Sequence, residues 1–203
     1  MFTMNAIQTR EQHRSELRRR ILNAARSSFV HEGYETFSLR KLAQQIEYSP
    51  AAIYKHFKNK NEIFESLAEE SFNALAQASS RVKPIAGEDP VDRLKRGMHA
   101  YVKFGLDNPD HYRFAFLLQP LENSRPRKPG AAYEGLRDRV QKCVDAGRFC
   151  TGDVDLMSQS FWAAAHGVTS LLVQRPSFPW VARNKLIAQV IQSAVQGLLA
   201  RED

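Results

Sequence analysis

Tyr54, Lys55, His56 and Lys60 can each donate a hydrogen bond to a phosphate oxygen, and they follow one another within about two helical turns. Ser49, Pro50 and Ala51 stand just ahead of them, and the small Ala51 would let a backbone approach base edges or a thymine methyl in a major groove. The chemistry these types support is non-covalent: a grip on a nucleic-acid backbone and a reading of bases. A solvated charged face uses the same residues, so the elements that carry them must decide.

Those elements are legible as caps and periods. Ser38 can cap free N–H groups ahead of Leu39, Leu42, Ala43 and Ile46, whose i, i+3, i+4, i+7 spacing makes one apolar helical face. Ser49 is a second N-cap and Pro50 suits the first helical position, where no hydrogen bond is lost. Only Glu47 and Tyr48 separate the two helices, and so short a connection forces the steep crossing of a helix-turn-helix. The predicted recognition helix covers residues 50–57, with Ala52, Ile53 and Phe57 inward and Ala51, Tyr54, Lys55 and His56 outward. A third start follows, where Asn59 can cap and Glu62 can reach back as in a capping box. Ser38, Arg40, Tyr48, Ser49, Pro50, Ala51, Tyr54, Lys55, His56 and Lys60 form the expected DNA-binding set.

Charge segregation favours this reading over a solvated face. Residues 1–60 hold 11 Lys or Arg and 5 acids, while residues 61–203 hold 18 and 17, so the net charge of +7 is confined almost wholly to one end. That is the expected footprint of phosphate binding. A membrane-surface role would want apolar residues beside the arginines, and residues 10–20 offer no strong apolar face.

The segment 21–64 resembles the N-terminal DNA-binding domain of the TetR family of bacterial transcriptional regulators. The resemblance runs through the alanine-rich first helix, Gly33-Tyr34, Ser38, Leu42-Ala43, Ser49 and the series Ile53, Tyr54, Phe57, Lys60. It implies that Ser38 and Lys60 contact phosphates, that Tyr54 and His56 clamp the backbone, and that the start of the recognition helix reads bases. Two positions depart from the family pattern. Glu47 stands where glycine is usual in the turn, and Asn61 replaces a common acid. A non-glycine residue held in the left-handed region costs roughly 1–2 kcal/mol.

With 203 residues, 43% of them hydrophobic, the chain can bury a substantial core. No apolar run is long enough to span a bilayer and the first residues lack a secretory apolar stretch, so the expectation is a soluble cytoplasmic protein. Two cysteines, Cys143 and Cys150, make no disulfide framework, and neither they nor His13, His31, His99 and His111 show metal-ligand spacing. No nucleophile–base pair or phosphate-cradling glycine loop is readable, so neither an enzyme nor a cofactor is expected.

The remainder reads as all-α: helices over 61–82, 90–108, 109–118, 131–146, 153–174 and 183–201, with a mobile loop over 119–130 containing Arg125, Arg127 and Lys128. The expected organisation is a flexible basic arm (1–15), a three-helix DNA-binding domain (16–62) and a C-terminal domain (63–203). The helix over 153–174 carries apolar atoms nearly all round, so it must be buried on two sides. Either it is central in a large monomer, or it pairs across a two-fold axis together with the stripe Leu186, Ile187, Val190, Ile191, Ala194 and Leu198. A homodimer also supplies the paired recognition helices, about 34 Å apart, that a palindromic operator requires.

Trp162-x-x-x-His166-Gly167, with Tyr101, Phe104, Tyr112 and Arg113 upstream, resembles the WHG type of TetR C-terminal domain. That resemblance implies a pocket whose small-molecule effector changes DNA affinity. Met98, Tyr101, Phe104, Tyr112, Phe116, Phe161, Trp162 and His166 are the candidate lining, aromatic walls with a few polar tips. Plain core packing would use the same aromatics. His166 is the first choice for a polar contact, although a backbone carbonyl can satisfy it equally. The expected function is a repressor released by a small apolar or aromatic effector; the alternative is an effector-independent or architectural DNA-binding protein whose C-terminal domain only dimerises.

Overall fold

The computed structural model describes residues 11–118 and 130–199 in full and residues 2–10 as backbone. Among these residues the protein is all-α, with no strand beyond a single bridge between Phe149 and Leu199. Its helices are α1 (Phe2–Glu32), α2 (Leu39–Gln45), α3 (Pro50–Tyr54), α4 (Lys60–Ser80), α5 (Pro90–Asp107), α6 (Pro109–Tyr112), α7 (Ala131–Asp145), α8 (Val154–Gln174) and α9 (Arg183–Gln196). A π-helical turn, Arg113–Leu117, follows α6.

Two compact units divide the chain. The first comprises Met1–Ser71 with Arg113–Gln119, the second Phe72–Tyr112 with Pro120–Asp203. The partition differs from the boundary expected at residue 62, because α4 is one uninterrupted helix whose early turns pack with the first unit. Residues 2–15, expected as a flexible arm, are instead the first turns of α1. The reason is plain in hindsight: no Pro or Gly stands between Phe2 and Glu32, so nothing stops the helix until Gly33, whose φ of 83° is open to glycine at no steric cost. The loop expected over 119–130 lies, at 119–129, outside the described residues.

In the first unit Ile21, Leu22, Ala25 and Phe29 bury one face of α1 against Phe37, Leu42, Ala43, Ile53, Phe57, Ile63 and Phe64. Phe29 organises this core. Its ring stacks on Phe37 at 4.0 Å and meets Phe64 and Phe114 at 5.6 and 5.7 Å. Burial of one such side chain is worth about 1.5–3 kcal/mol, so the short α2 and α3 are held by tertiary packing rather than by their own propensity.

In the second unit α5, α7, α8 and α9 surround a core that includes Leu94, Met98, Val102, Val140, Phe161 and Ile191. The inner face of α8 is Met157, Phe161, Ala165, Val168 and Leu172, whereas Leu156 and Leu171 on the same helix are 64% and 51% exposed. One side of α8 therefore lies in its own core and the other is uncovered. The stripe expected on the last helix behaves differently: Ile187 and Ile191 are buried, and Leu186, Val190, Ala194 and Leu198 pack against the same core. The outward residues of α9 are instead Arg183, Asn184, Lys185, Ala188, Gln189, Ser193 and Gln196. The helix also ends at Gln196, short of the expected residue 201, with Gly197 as its C-cap.

Candidate nucleic-acid interface and ligand site

The turn between α2 and α3 is built as its sequence demands. Glu47 has φ 61°, the left-handed conformation for which glycine is favoured. The N–H of Tyr48 reaches back to the Ala43 carbonyl at 2.9 Å, and that of Glu47 to Gln44 at 3.2 Å, so the last turn of α2 is closed. Ser49 accepts a hydrogen bond from the Ala52 N–H at 3.2 Å, with Pro50 at the first helical position. Ser38 departs from expectation: it occupies the N-cap position of α2, but its hydroxyl makes no capping hydrogen bond. Asn59 caps the Glu62 N–H at 3.0 Å, while the Glu62 carboxylate accepts from Lys58 N–H at 2.7 Å, one residue earlier than a strict capping box.

Helical α3 ends at Tyr54, shorter than the predicted 50–57, and Lys55 and His56 continue as a turn. Ile53 and Phe57 are buried as expected and Ala52 partly so. Arg40, Tyr48, Ser49, Pro50, Ala51, Tyr54 and Lys55 are exposed; Ser38, His56 and Lys60 are half-buried. Tyr54 is 56% exposed, the most open aromatic of the DNA-binding set. Lys60 is already engaged: it donates to the Tyr34 carbonyl at 3.2 Å and lies 4.2 Å from the centre of that ring. It therefore closes the Gly33–Tyr34 turn as well as carrying charge.

The arginines of α1 do more than was legible. Arg18 lies 4.5 Å over the Phe57 ring and donates to Ser66 at 3.3 Å, and Arg20 lies 5.3 Å from the centre of the Tyr48 ring. Such cation–π contacts hold the arginines against the turn and α3. Burial, with Arg14 and Arg18 nearby, holds His56 below the ordinary imidazole pKa. Arg14 and Arg18 stand one helical turn apart on α1, which was the available sequence signal.

In the second unit the predicted ligand set separates. Met98, Phe104 and Phe161 are buried at 2%, 7% and 0% exposure, and Phe116 belongs to the π-helical segment of the first unit. Tyr101, Tyr112, Trp162 and His166 do converge. His166 Nδ1 lies 2.7 Å from the Tyr112 hydroxyl and 3.1 Å from that of Tyr101, and the Trp162 indole N–H donates to Tyr101 at 3.3 Å. Tyr112 also donates to the His166 carbonyl, at 3.2 Å. Burial raises the pKa values of both tyrosines and lowers that of His166, so all three are neutral near pH 7. Two residues not anticipated complete the surroundings: Tyr133, whose ring lies 6.1 Å from Trp162, and Thr169, which fills the space left by Gly105.

An exposed short helix capped by Ser49, propped on a buried hydrophobic corner and flanked by arginines, defines a helix-turn-helix DNA-binding protein with a second helical domain. Residues 21–67 match the model of the bacterial regulatory proteins of the tetR family, and residues 94–195 match the Tetracyclin repressor-like C-terminal domain. The chain belongs to the TetR family of transcriptional regulators. Among its relatives is the HTH-type transcriptional repressor Rv1474c of Mycobacterium tuberculosis, 39% identical over 71 residues, 35% of this chain and 38% of that one. The match thus spans well under half of that relative's length. The HTH-type transcriptional repressor AcnR of Corynebacterium glutamicum is 27% identical over 66% of this chain and 69% of its own. A tetR-family regulatory protein from Rhodococcus RHA1 superposes with a TM-score of 0.71 at 19% identity, over 91% of this chain and 98% of the other. Among the described residues no helix is long and apolar enough to cross a membrane.

Proposed function

We propose that the protein is a homodimeric repressor that grips a palindromic operator with two copies of α3 and releases it when a small apolar or aromatic effector occupies the second unit. The observation that carries this reading is the exposed row Ala51, Tyr54 and Lys55 on α3 and the turn that follows it, whose opposite side, Ile53 and Phe57, is fully buried. Such a helix is rigidly placed and offers its polar side to a groove. The relatives named as repressors support the repression half of this reading.

Pairing through α8 is supported by its uncovered side. Leu156, Ser160, Ala163 and Leu171 are exposed along it, and a Cβ at Gly167 would meet nothing within 4 Å. Small residues between two leucines allow close approach of a second helix, and the polar side of α9 would form the margin. Effector binding is supported by Tyr101, Trp162 and His166, which combine aromatic surface with hydroxyl, indole and imidazole groups. An effector that prefers the DNA-free conformation weakens operator binding by the coupling between the two sites, typically ~1–3 kcal/mol.

The test is to recover the fragments this protein retains from the genomic DNA of its own organism. Enrichment of a shared inverted repeat supports the reading; uniform, sequence-independent retention contradicts it. Trp162 fluorescence, titrated with small aromatic and aliphatic compounds, then tests the effector. If no compound changes either the fluorescence or operator binding, the C-terminal domain serves dimerisation alone.

A further inference from the structure

Away from the aromatic cluster, the connection between α4 and α5 borders a partly open pocket of about 190 Å³ in the second unit. Pro84, Ile85 and Pro90 form its apolar wall, and Glu88, Arg93, Arg139 and Lys142 its polar one. Two of these charges are neutralised locally. Glu88 is gripped by Arg96, with Nε donating at 2.6 Å and a terminal nitrogen at 2.8 Å, and Lys142 donates to Asp138 at 2.6 Å.

The two remaining arginines form no salt bridge among the described residues, although Glu88 acts on Arg93 and Asp138 on Arg139 from further away. Arg139 is only 6% exposed; its terminal nitrogens donate to Ser79 Oγ at 3.3 Å, the Ser79 carbonyl at 2.9 Å and the Gly135 carbonyl at 3.1 Å, while its Nε has no partner. The Arg93 side chain makes no hydrogen bond or ion pair among the described residues, and its Nε is buried without a partner. Burial, and then the neighbouring Arg93, depress the pKa of Arg139. A lysine so placed could shed its proton, whereas a guanidinium cannot, so the charge stays and calls for a counter-ion. Gly97 accommodates the arrangement, since a Cβ there would come within 3.2 Å of Arg139 Cδ and Nε.

We propose that this cavity is a binding site for a small oxoanion, a phosphate or a carboxylate, held between Arg93 and Arg139. Planar guanidinium groups match both chemistries with paired hydrogen bonds. At about 190 Å³ the pocket is smaller than the ~300–1,000 Å³ of sites for drug-sized ligands, which suits inorganic phosphate or a four-carbon dicarboxylate rather than a large metabolite. The site is separate from the effector reading of Tyr101 and His166 and stands without it.

Calorimetric titration of the full-length protein with inorganic phosphate and with succinate, each against sodium chloride at equal ionic strength, tests the site. One of the two is expected to bind and to raise Tm where chloride does not; a response to phosphate alone or to succinate alone assigns the class. Arg93→Gln is expected to weaken that binding about tenfold or more, the loss that follows when a hydrogen bond to a charged group is removed. Lys103→Gln, which removes one charge elsewhere on α5, leaves it unchanged. Arg93→Lys, which keeps the charge but loses the paired hydrogen bonds and should also weaken binding, gives a second reading should Arg93→Gln fail to fold. No response beyond chloride, or a response indifferent to both cavity variants, overturns the proposal.

Discussion

Replacing Glu47 by glycine should stabilise the DNA-binding unit. Glu47 sits at φ 61° in the turn, with an exposed side chain. The left-handed conformation costs a residue with a Cβ roughly 1–2 kcal/mol. Glycine removes that cost but adds about 0.5–1 kcal/mol of unfolded-state entropy. The net gain is about 0–1.5 kcal/mol, centred on ~0.75 kcal/mol, which for a chain of this size raises Tm by about 2–3 °C. Glu47→Gln serves as the control, because it removes the charge and keeps the strain. Glu47→Asn should fall between the two, since Asn enters the left-handed region more readily than Gln. Differential scanning calorimetry of the four proteins gives the comparison directly. If Glu47→Gly is no more stable than Glu47→Gln, the turn is unstrained and the reasoning fails.

Gly105→Ala should destabilise the second unit by about 1–3 kcal/mol, as overpacking does, because its Cβ would lie 2.4 Å from Thr169 Cγ2 and 2.9 Å from Tyr112 Cδ2; a lowered Tm checks this. Operator affinity should rise as pH falls through about 6.5: His56 is depressed in the free protein, a phosphate raises its pKa, and binding therefore takes up a proton. His56→Gln should flatten that dependence in fluorescence anisotropy at constant ionic strength. The same depression makes the free protein lose stability as pH drops below about 6.5, since the unfolded chain then binds the proton more readily. Ala163→Arg places a charge on the uncovered side of α8 and should shift the protein toward monomer in sedimentation while leaving its helical content intact.

What the sequence made legible was what is decided locally. Ser49 and Pro50 start α3 through a hydrogen bond three residues long, and Glu47 takes a left-handed conformation because the two-residue turn permits little else. The interior of the head followed from the i, i+3, i+4 spacing of Leu42, Ala43 and Ile46. The unread features depend on distant partners. Nothing near Arg18 or Arg20 announces Phe57 and Tyr48, and nothing near Leu186 or Val190 says that α9 spends its apolar stripe on its own core. The same holds for the aromatic candidates: Met98, Phe104 and Phe161 share helical spacing with Tyr101 and Trp162, and only packing separates core from polar cluster. The continuity of α1 is hard to read from sequence for a different reason: the absence of a breaker is a weaker signal than the presence of a cap.

The most direct test of DNA recognition through α3 is the affinity of Tyr54→Ala for an operator recovered with the unaltered protein. Tyr54 is 56% exposed, so its removal should leave Tm and the oligomeric state unchanged. Loss of a hydrogen bond to a charged phosphate should weaken operator binding about tenfold or more. An unchanged affinity, with fold and oligomeric state intact, would contradict the account.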